Sequence, residues 1–152
     1  MTTTGGKVFV DTNVLLRGTI EQFPLYKEAR RLLDSYFTNG VELWISRQII
    51  REYMVQSTRP QTVTYPMQIG DLEERLLTMQ MVFRIADETA EVTAQLLQLL
   101  KQYPTGGKQV HDANIVATML VNGVDTLLTM NVVDFQRFQD RITLIPLRAD
   151  VP

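Results

Sequence analysis

Near its N-terminus the chain reads Lys7-Val8-Phe9-Val10-Asp11-Thr12-Asn13, a run of β-branched and aromatic residues followed by a polar cluster. The apolar run predicts a buried strand at Lys7–Val10. The polar cluster that follows is typical of a tight turn from a strand into a helix. A short helical turn at Val14–Leu16 is expected next, ended by Gly18.

The rest of the chain alternates between the same two kinds of segment, which predicts an α/β fold with a mostly parallel sheet. No linker or repeat interrupts the alternation, so residues 1–152 are expected to form a single domain. The predicted strands are Val41–Ile45, Met81–Ile85, Thr126–Thr129 and Ile142–Ile145. The predicted helices run from Pro24 to Asn39, Arg47–Ser57 behind an N-cap at Ser46, Asp71–Gln80, Asp87–Tyr103 and Gln109–Val121, with a loop at Thr58–Gly70. In the Asp87–Tyr103 helix the residues expected to face the core are Ala90, Thr93, Ala94, Leu97 and Leu100.

Composition limits the chemistry that such a fold can carry. The 152 residues include no cysteine and one histidine, His111. Disulfides, thiolate chemistry and cysteine- or multi-histidine-ligated metals are therefore excluded within one chain. A bound metal must take mainly oxygen ligands, which favours Mg²⁺ or Mn²⁺. The formal net charge of −2 argues against a general polyanion binder.

No apolar run approaches the roughly 18 residues that span a bilayer, and no membrane association is expected. Met1–Lys7 is polar and leads directly into a predicted strand, unlike a signal peptide. The expected location is the cytoplasm.

Acidic residues stand at positions where ligands bind in parallel sheets, beyond the carboxyl ends of the strands. Asp11 follows the first strand, although an Asp there is also a common helix N-cap. On a helical wheel Asp112 lies within about 80° of Ile115 and Val116, on the apolar stripe of its helix. A carboxylate on that stripe must be paired, protonated or metal-bound, unless it only complements the helix dipole.

Three further polar residues are weaker candidates for the predicted site when each is considered alone. Glu52 flanks the apolar stripe of its helix by about 60°. Taken alone, a Glu at such a position is more often a solvated side chain or the partner of a nearby arginine than a metal ligand. Asn131 and Asp134 follow the strand that ends near Thr129. Asn131 adds no charge, and Asp134 is equally suited to capping the next turn. Carboxylates gathered at one edge repel each other unless a divalent cation compensates.

Four segments together resemble the motifs of PIN-domain nucleases. They occur in the order that the family shows and span residue 8 to about residue 138. The segments are Val8-Phe9-Val10-Asp11-Thr12-Asn13-Val14-Leu15-Leu16, Ser46-Arg47-Gln48-Ile49-Ile50-Arg51-Glu52-Tyr53, His111-Asp112-Ala113-Asn114-Ile115-Val116-Ala117 and Leu128-Thr129-Met130-Asn131-Val132-Val133-Asp134-Phe135.

The resemblance implies a Rossmann-like three-layer α/β/α sandwich with a five-stranded sheet and Mg²⁺- or Mn²⁺-dependent cleavage of RNA. By position, Asp11, Glu52 and Asp112 match the metal-binding acids. Where many members place a fourth acid soon after the threonine, this chain has Asn131, with Asp134 three residues later. Bacterial members of this size resemble VapC-type toxins, which implies a homodimer, an RNA substrate and an antitoxin protein as partner.

Two other functions are also considered for this sequence. A PIN-like domain that binds RNA or a partner without cutting is compatible with the neutral Asn131. A haloacid-dehalogenase-like phosphatase also begins with Asp after its first strand, but it needs a second Asp where this chain has Asn13. The irregular segment Thr58–Leu77 is expected to form the dimer or antitoxin surface.

Three features are interpreted as structural. Gly106-Gly107-Lys108 lacks the glycine spacing and the Ser or Thr of a phosphate-binding loop. His111 beside a helix start is interpreted as structural. Five basic residues are candidates for a substrate groove, because phosphate contacts come mainly from Arg and Lys. Most of the five are nevertheless interpreted as solvated surface charge. They are Arg17, Arg47, Arg51, Arg59 and Lys108.

Overall fold

A computed structural model describes residues 6–148 of the chain, with strands and helices alternating throughout. The strands are β1 (Lys7–Val10), β2 (Glu42–Ser46), β3 (Arg84–Ala86), β4 (Thr126–Thr129) and β5 (Thr143–Pro146). The helices are α1 (Thr12–Thr19), α2 (Tyr26–Thr38), α3 (Arg47–Thr58), α4 (Ile69–Val82), α5 (Ala90–Gln102), α6 (Gln109–Val121) and α7 (Val132–Phe135), followed by a 3-10 turn at Gln136–Phe138.

The predicted α/β sandwich is confirmed, and the sheet is parallel throughout in the order β3-β2-β1-β4-β5. The chain moves outward from β1 through β2 to β3 and then crosses back to β4 on the other side of β1. Crossovers between parallel strands are right-handed, so the helices before and after this reversal cover opposite faces of the sheet. The reversal leaves a crevice beyond the carboxyl ends of β1 and β4.

The central strand β1 is buried along most of its length, as a strand covered on both faces must be. Val8, Phe9 and Val10 are each at most 5% exposed. The backbone N–H of Asp11 donates to the carbonyl of Leu128 at 3.0 Å, which continues the pairing with β4 past the end of β1. Asp11 is therefore fixed at the crevice by its own backbone.

The sequence had predicted that Gly18 ends the first helix, but α1 continues through this residue. The helix runs from Thr12 through Gly18 to Thr19. A Cβ at Gly18 would lie 2.6 Å from Cδ1 of Leu33 in α2, so this glycine permits the close approach of two helices rather than breaking one. Leu25 has a φ of 67°, and α2 therefore begins at Tyr26 instead of Pro24.

The predicted strand Met81–Ile85 is wrong in its first half. Helix α4 continues to Val82 because Leu72 and Met79, seven residues apart, both pack into the core on one helical face. The strand begins only at Arg84. The predicted loop Thr58–Gly70 and the remaining predicted ends shift by three residues or fewer, a difference to be expected where helices and strands fray.

Helix α5 is rotated relative to its predicted orientation. The sequence had favoured Ala90, Thr93, Ala94, Leu97 and Leu100 as its core stripe. Val92 and Leu99 are instead the buried residues. Of the predicted stripe, Leu100 is half-buried against the core, whereas Leu97 is 54% exposed. Thr89 caps the helix by accepting the N–H of Val92, which moves its start from Asp87 to Ala90. No helix within residues 6–148 is long and apolar enough to cross a membrane.

The orientation of α5 predicts opposite outcomes for two leucines of this helix. Leu99→Ala is expected to lower the free energy of unfolding by about 2–5 kcal/mol, because it leaves a cavity in the core. Leu97→Ala is expected to change it by less than about 0.5 kcal/mol. Urea unfolding followed by circular dichroism measures both. A larger loss for Leu97→Ala would contradict this orientation.

Candidate active site

Asp11 is a buried carboxylate at the end of β1, 5% exposed. One of its oxygens accepts the N–H of Thr12 at 2.8 Å, so the side chain does cap α1. The other oxygen accepts the hydroxyl of Thr129 at 2.8 Å. That hydroxyl in turn accepts the N–H of Asn131 at 2.9 Å. The capping interpretation and the site interpretation of Asp11 are thus compatible, because the cap occupies only one oxygen.

Glu52 is brought to the same place by α3, which begins where the sequence predicted. Ser46 caps the helix by accepting the N–H of Ile49 at 3.2 Å. One carboxylate oxygen of Glu52 accepts the hydroxyl of Thr12 at 2.6 Å. The other accepts Nε2 of Gln48 at 3.0 Å. Thr12 therefore links the first two acidic residues, through its N–H to Asp11 and through its hydroxyl to Glu52.

Asp112 lies in the first turn of α6. The apolar stripe that the helical wheel predicted is buried at Ile115, Val116 and Met119. Asp112 itself is half-buried rather than enclosed. The start of α6 lies at the edge of the crevice, which explains why a carboxylate on the core stripe still reaches solvent.

A cavity of about 260 Å³ gathers four of the five predicted site residues. It is lined by Asp11, Thr12, Asn13, Glu52, Val55, Gln56, Asp112 and Asn131. The fifth residue, Asp134, is exposed on α7 and is not part of this lining. Asp134 nevertheless acts on the cavity through its charge, since it raises the pKa of both Asp11 and Asp112.

The two aspartates hold protons more tightly than ordinary carboxyl groups. Each pKa is raised from 3.8 to about 6, and burial is the largest cause for both. Hydrogen bonds from Thr129 and Thr12 lower the pKa of Asp11 in part, while the charges of Glu52 and Asp134 raise it. The pKa of Asp112 is also raised by Asp134, Asp11 and Glu52, and is lowered by Arg137. Raised carboxyl pKa values clustered in one cavity are typical of functional sites.

The side chains of this cavity fit a hard divalent cation in their chemistry. Every candidate donor is an oxygen, from carboxylates at Asp11, Glu52 and Asp112 and a carboxamide at Asn131. Within residues 6–148 no three acidic or histidine side chains converge closely enough to enclose an ion as they stand. Carboxylates that share one cavity repel each other, and a bound cation would offset this repulsion.

The basic residues predicted as candidates for a substrate groove differ in their surroundings. Arg47 and Arg51 form ion pairs with Asp87 and Glu88, in the loop after β3. Arg17 donates to the carbonyl of Asn13 at 3.2 Å. Arg59 and Lys108 are exposed. His111 is also exposed, and its side chain is not part of the cavity lining.

Sequence reasoning missed the residues that hold the acids in place. Thr12 and Thr129 were read as turn and strand residues, and Gln48 was not considered. Arg137 was also missed. Its guanidinium donates to Thr105 at 3.2 Å and to Gln109 at 3.0 Å, and it lies close enough to Asp112 to lower the pKa of that residue. Thr12 could have been found from the sequence, because it is a polar residue directly next to an acidic residue of a motif. Thr129, Gln48 and Arg137 could not, because their roles depend on contacts between distant segments.

The raised pKa values predict how stability depends on pH in the metal-free protein. The folded state binds protons more tightly than the unfolded chain between about pH 4 and pH 6, so stability falls as pH rises through this window. At about pH 7 the full penalty is present, and Asp11→Asn is expected to raise the free energy of unfolding by about 1–3 kcal/mol. Urea unfolding of chelator-treated protein measures this.

The matched control is Asp34→Asn, which removes an exposed carboxylate paired with Arg30. It is expected to change stability by less than about 1 kcal/mol. If Asp11→Asn lowers stability at about pH 7, the cost of burying the charged carboxylate is not the dominant effect at this position.

Comparison with known proteins agrees with this geometry. The sequence model of the PIN domain matches residues 8–140. A toxin–antitoxin complex from Klebsiella pneumoniae is 20% identical, with a TM-score of 0.65 over 94% of this chain and 99% of that chain. VapBC2 from Rickettsia felis bound to promoter DNA is 18% identical, with a TM-score of 0.64 over 93% and 99% of the two chains.

The toxin VapC20 of Mycobacterium tuberculosis, described as cleaving the sarcin–ricin loop, is 18% identical with a TM-score of 0.60 over 79% of this chain and 86% of that chain. The search among curated proteins returned no significant match. At these identities the structural neighbours show a shared fold. The sequence model covers most of the chain and all four acidic segments, and the chain therefore belongs to the PIN domain family.

Proposed function

We propose that this protein is a Mg²⁺- or Mn²⁺-dependent endoribonuclease and the toxin of a toxin–antitoxin pair. The observation that carries the proposal is the cavity that Asp11, Glu52 and Asp112 line at the reversal point of a parallel sheet. The same position holds ligands in other open α/β sheets. Membership of the PIN domain family and the structural likeness to toxins support the nuclease assignment.

The chain's own residues have distinct tasks in this proposal. Asp11, Glu52 and Asp112 hold the cation, with Asp11 and Glu52 fixed by Thr12. When bound, a divalent cation supplies charge stabilisation to the phosphoryl group and an acidified water as nucleophile. Asn131 offers a neutral carboxamide to the same cavity. Asp134 lies outside the lining and contributes negative charge at longer range.

A protein antitoxin and a second copy of the chain are the proposed partners. The structural neighbours include a toxin–antitoxin complex, the one from Klebsiella pneumoniae. The segment predicted as a partner surface exposes large apolar side chains, with Tyr65 81%, Ile69 72% and Leu77 63% exposed. Exposed large apolar side chains grouped in one segment are candidates for an association surface.

The proposed active site predicts chelator-sensitive cleavage of RNA by the wild type. Asp11→Asn, Glu52→Gln and Asp112→Asn are each expected to reduce the rate by about 100-fold or more, because each removes a proposed ligand. Asp34→Asn serves as the control, since it neutralises a carboxylate far from the cavity. The measurement is the rate of cleavage of a labelled RNA in Mn²⁺, with melting temperatures to confirm folding.

Two outcomes of that experiment would change the conclusion. Cleavage that survives all three substitutions would exclude this cavity as the active site. Binding of RNA by the wild type without cleavage in Mn²⁺ would favour the alternative of a PIN-like binding domain.

The proposed dimer predicts an assembly of twice the chain mass of 17.4 kDa. Ile69→Asp and Leu77→Asp are expected to shift it towards the monomer, because each would place a carboxylate in an apolar contact. Sedimentation velocity measures the proportions of monomer and dimer. A dimer that is unaffected by both substitutions would place the interface elsewhere.

A further inference from the structure

Gln48 is a buried polar residue that the proposed chemistry does not use. Its side chain is 3% exposed, one turn before Glu52 on α3. Nε2 donates to the carboxylate of Glu52 at 3.0 Å and also to the backbone carbonyl of His111 at 2.9 Å. Oε1 accepts Nδ2 of Asn114 at 2.8 Å. Both N–H donors and the carbonyl oxygen of this carboxamide therefore have partners.

The partners leave only one orientation for the carboxamide. Exchanging Oε1 and Nε2 would place an oxygen against the Glu52 carboxylate and the His111 carbonyl, and two N–H donors would then meet at Asn114. Such a flip loses three hydrogen bonds in a buried place, where unpaired polar groups are costly. Asn114 and the His111 carbonyl, both on α6, thus determine which atom Gln48 presents to Glu52.

This arrangement joins the two helices that carry acidic residues. Glu52 belongs to α3, and Asp112 lies between His111 and Asn114 on α6. Through these hydrogen bonds the carboxamide connects the start of α6 to the Glu52 side chain. A change in the separation of α3 and α6 would therefore move Glu52 relative to Asp112.

We propose that Gln48 is a positioning residue, oriented by Asn114 and the His111 carbonyl, that holds the Glu52 carboxylate in place for a divalent cation. The inference rests on the proposed function, because it assigns Glu52 as a ligand. Residues that orient metal ligands contribute about 10- to 100-fold to metal affinity in other proteins. Gln48 does not contact the cation or the substrate in this proposal.

The test measures Mn²⁺ affinity by isothermal titration calorimetry on the full chain. Gln48→Met keeps the length and the helix propensity of the side chain but removes its hydrogen bonds. It is expected to weaken Mn²⁺ binding by about 10-fold or more. Asn114→Ala is expected to cause a smaller loss, and the double variant should bind no more weakly than Gln48→Met alone, because Asn114 acts through Gln48.

Thr118→Val provides the control for general destabilisation. Thr118 is fully buried on α6, and its hydroxyl donates to the carbonyl of Asn114 at 2.9 Å. Its removal is expected to lower the melting temperature without changing Mn²⁺ affinity. If Thr118→Val weakens Mn²⁺ binding as much as Gln48→Met at equal loss of stability, Gln48 has only a structural role.

RNA cleavage provides a second readout that separates positioning from catalysis. The cleavage rate of Gln48→Met should approach that of the wild type at saturating Mn²⁺, because only ligand placement is impaired. Unchanged Mn²⁺ affinity in Gln48→Met, or additive losses in the double variant, would overturn the proposal. If the wild type binds Mn²⁺ but cleaves no RNA, the proposed function fails, and the affinity comparison still decides the role of Gln48.

Discussion

The Asp11 carboxylate lies almost completely buried at the carboxyl end of β1, where it accepts hydrogen bonds from the Thr12 N–H and the Thr129 hydroxyl. These two donors offset only part of the free-energy cost of burying a charge. Burial is the largest cause that raises the pKa of Asp11 well above its ordinary value, and the charges of Glu52 and Asp134 raise it further. A buried carboxylate with other negative charges beside it is unfavourable for the folded state at neutral pH unless a cation enters the pocket.

The fold explains why the chain can maintain such a pocket. Asp11 is fixed by backbone pairing between β1 and β4, the two strands at the reversal of the sheet. Glu52 is joined to Asp11 through Thr12 and to α6 through Gln48. The acids are therefore held by contacts among segments that lie far apart in the sequence. Stability lost at the pocket is compensated by the apolar core around β1.

Much of the fold and of the candidate site could be predicted from the sequence. The parts that could not be predicted depend on contacts between segments that are distant in the sequence. Asp11 and Asp112 were found because strand ends and helical periodicity are local patterns. The face of α5 was predicted wrongly because apolar and small residues occur on both sides of that helix, and only packing selects Val92 and Leu99. Gly18 was read as a helix end because its role depends on Leu33, which lies in another helix. Gln48 and Arg137 were missed for the same reason, since their partners are distant in sequence.

Proton release on Mn²⁺ binding tests the central claim most directly, because the cation must displace protons held by the repelled aspartates. Calorimetry in buffers of different ionisation enthalpy gives the number of protons released. Release is expected near pH 6, where Asp11 and Asp112 are partly protonated, and should fall towards zero at about pH 8. It should decrease in Asp112→Asn. Binding at pH 6 with no proton release, or release unchanged in that variant, would contradict the account.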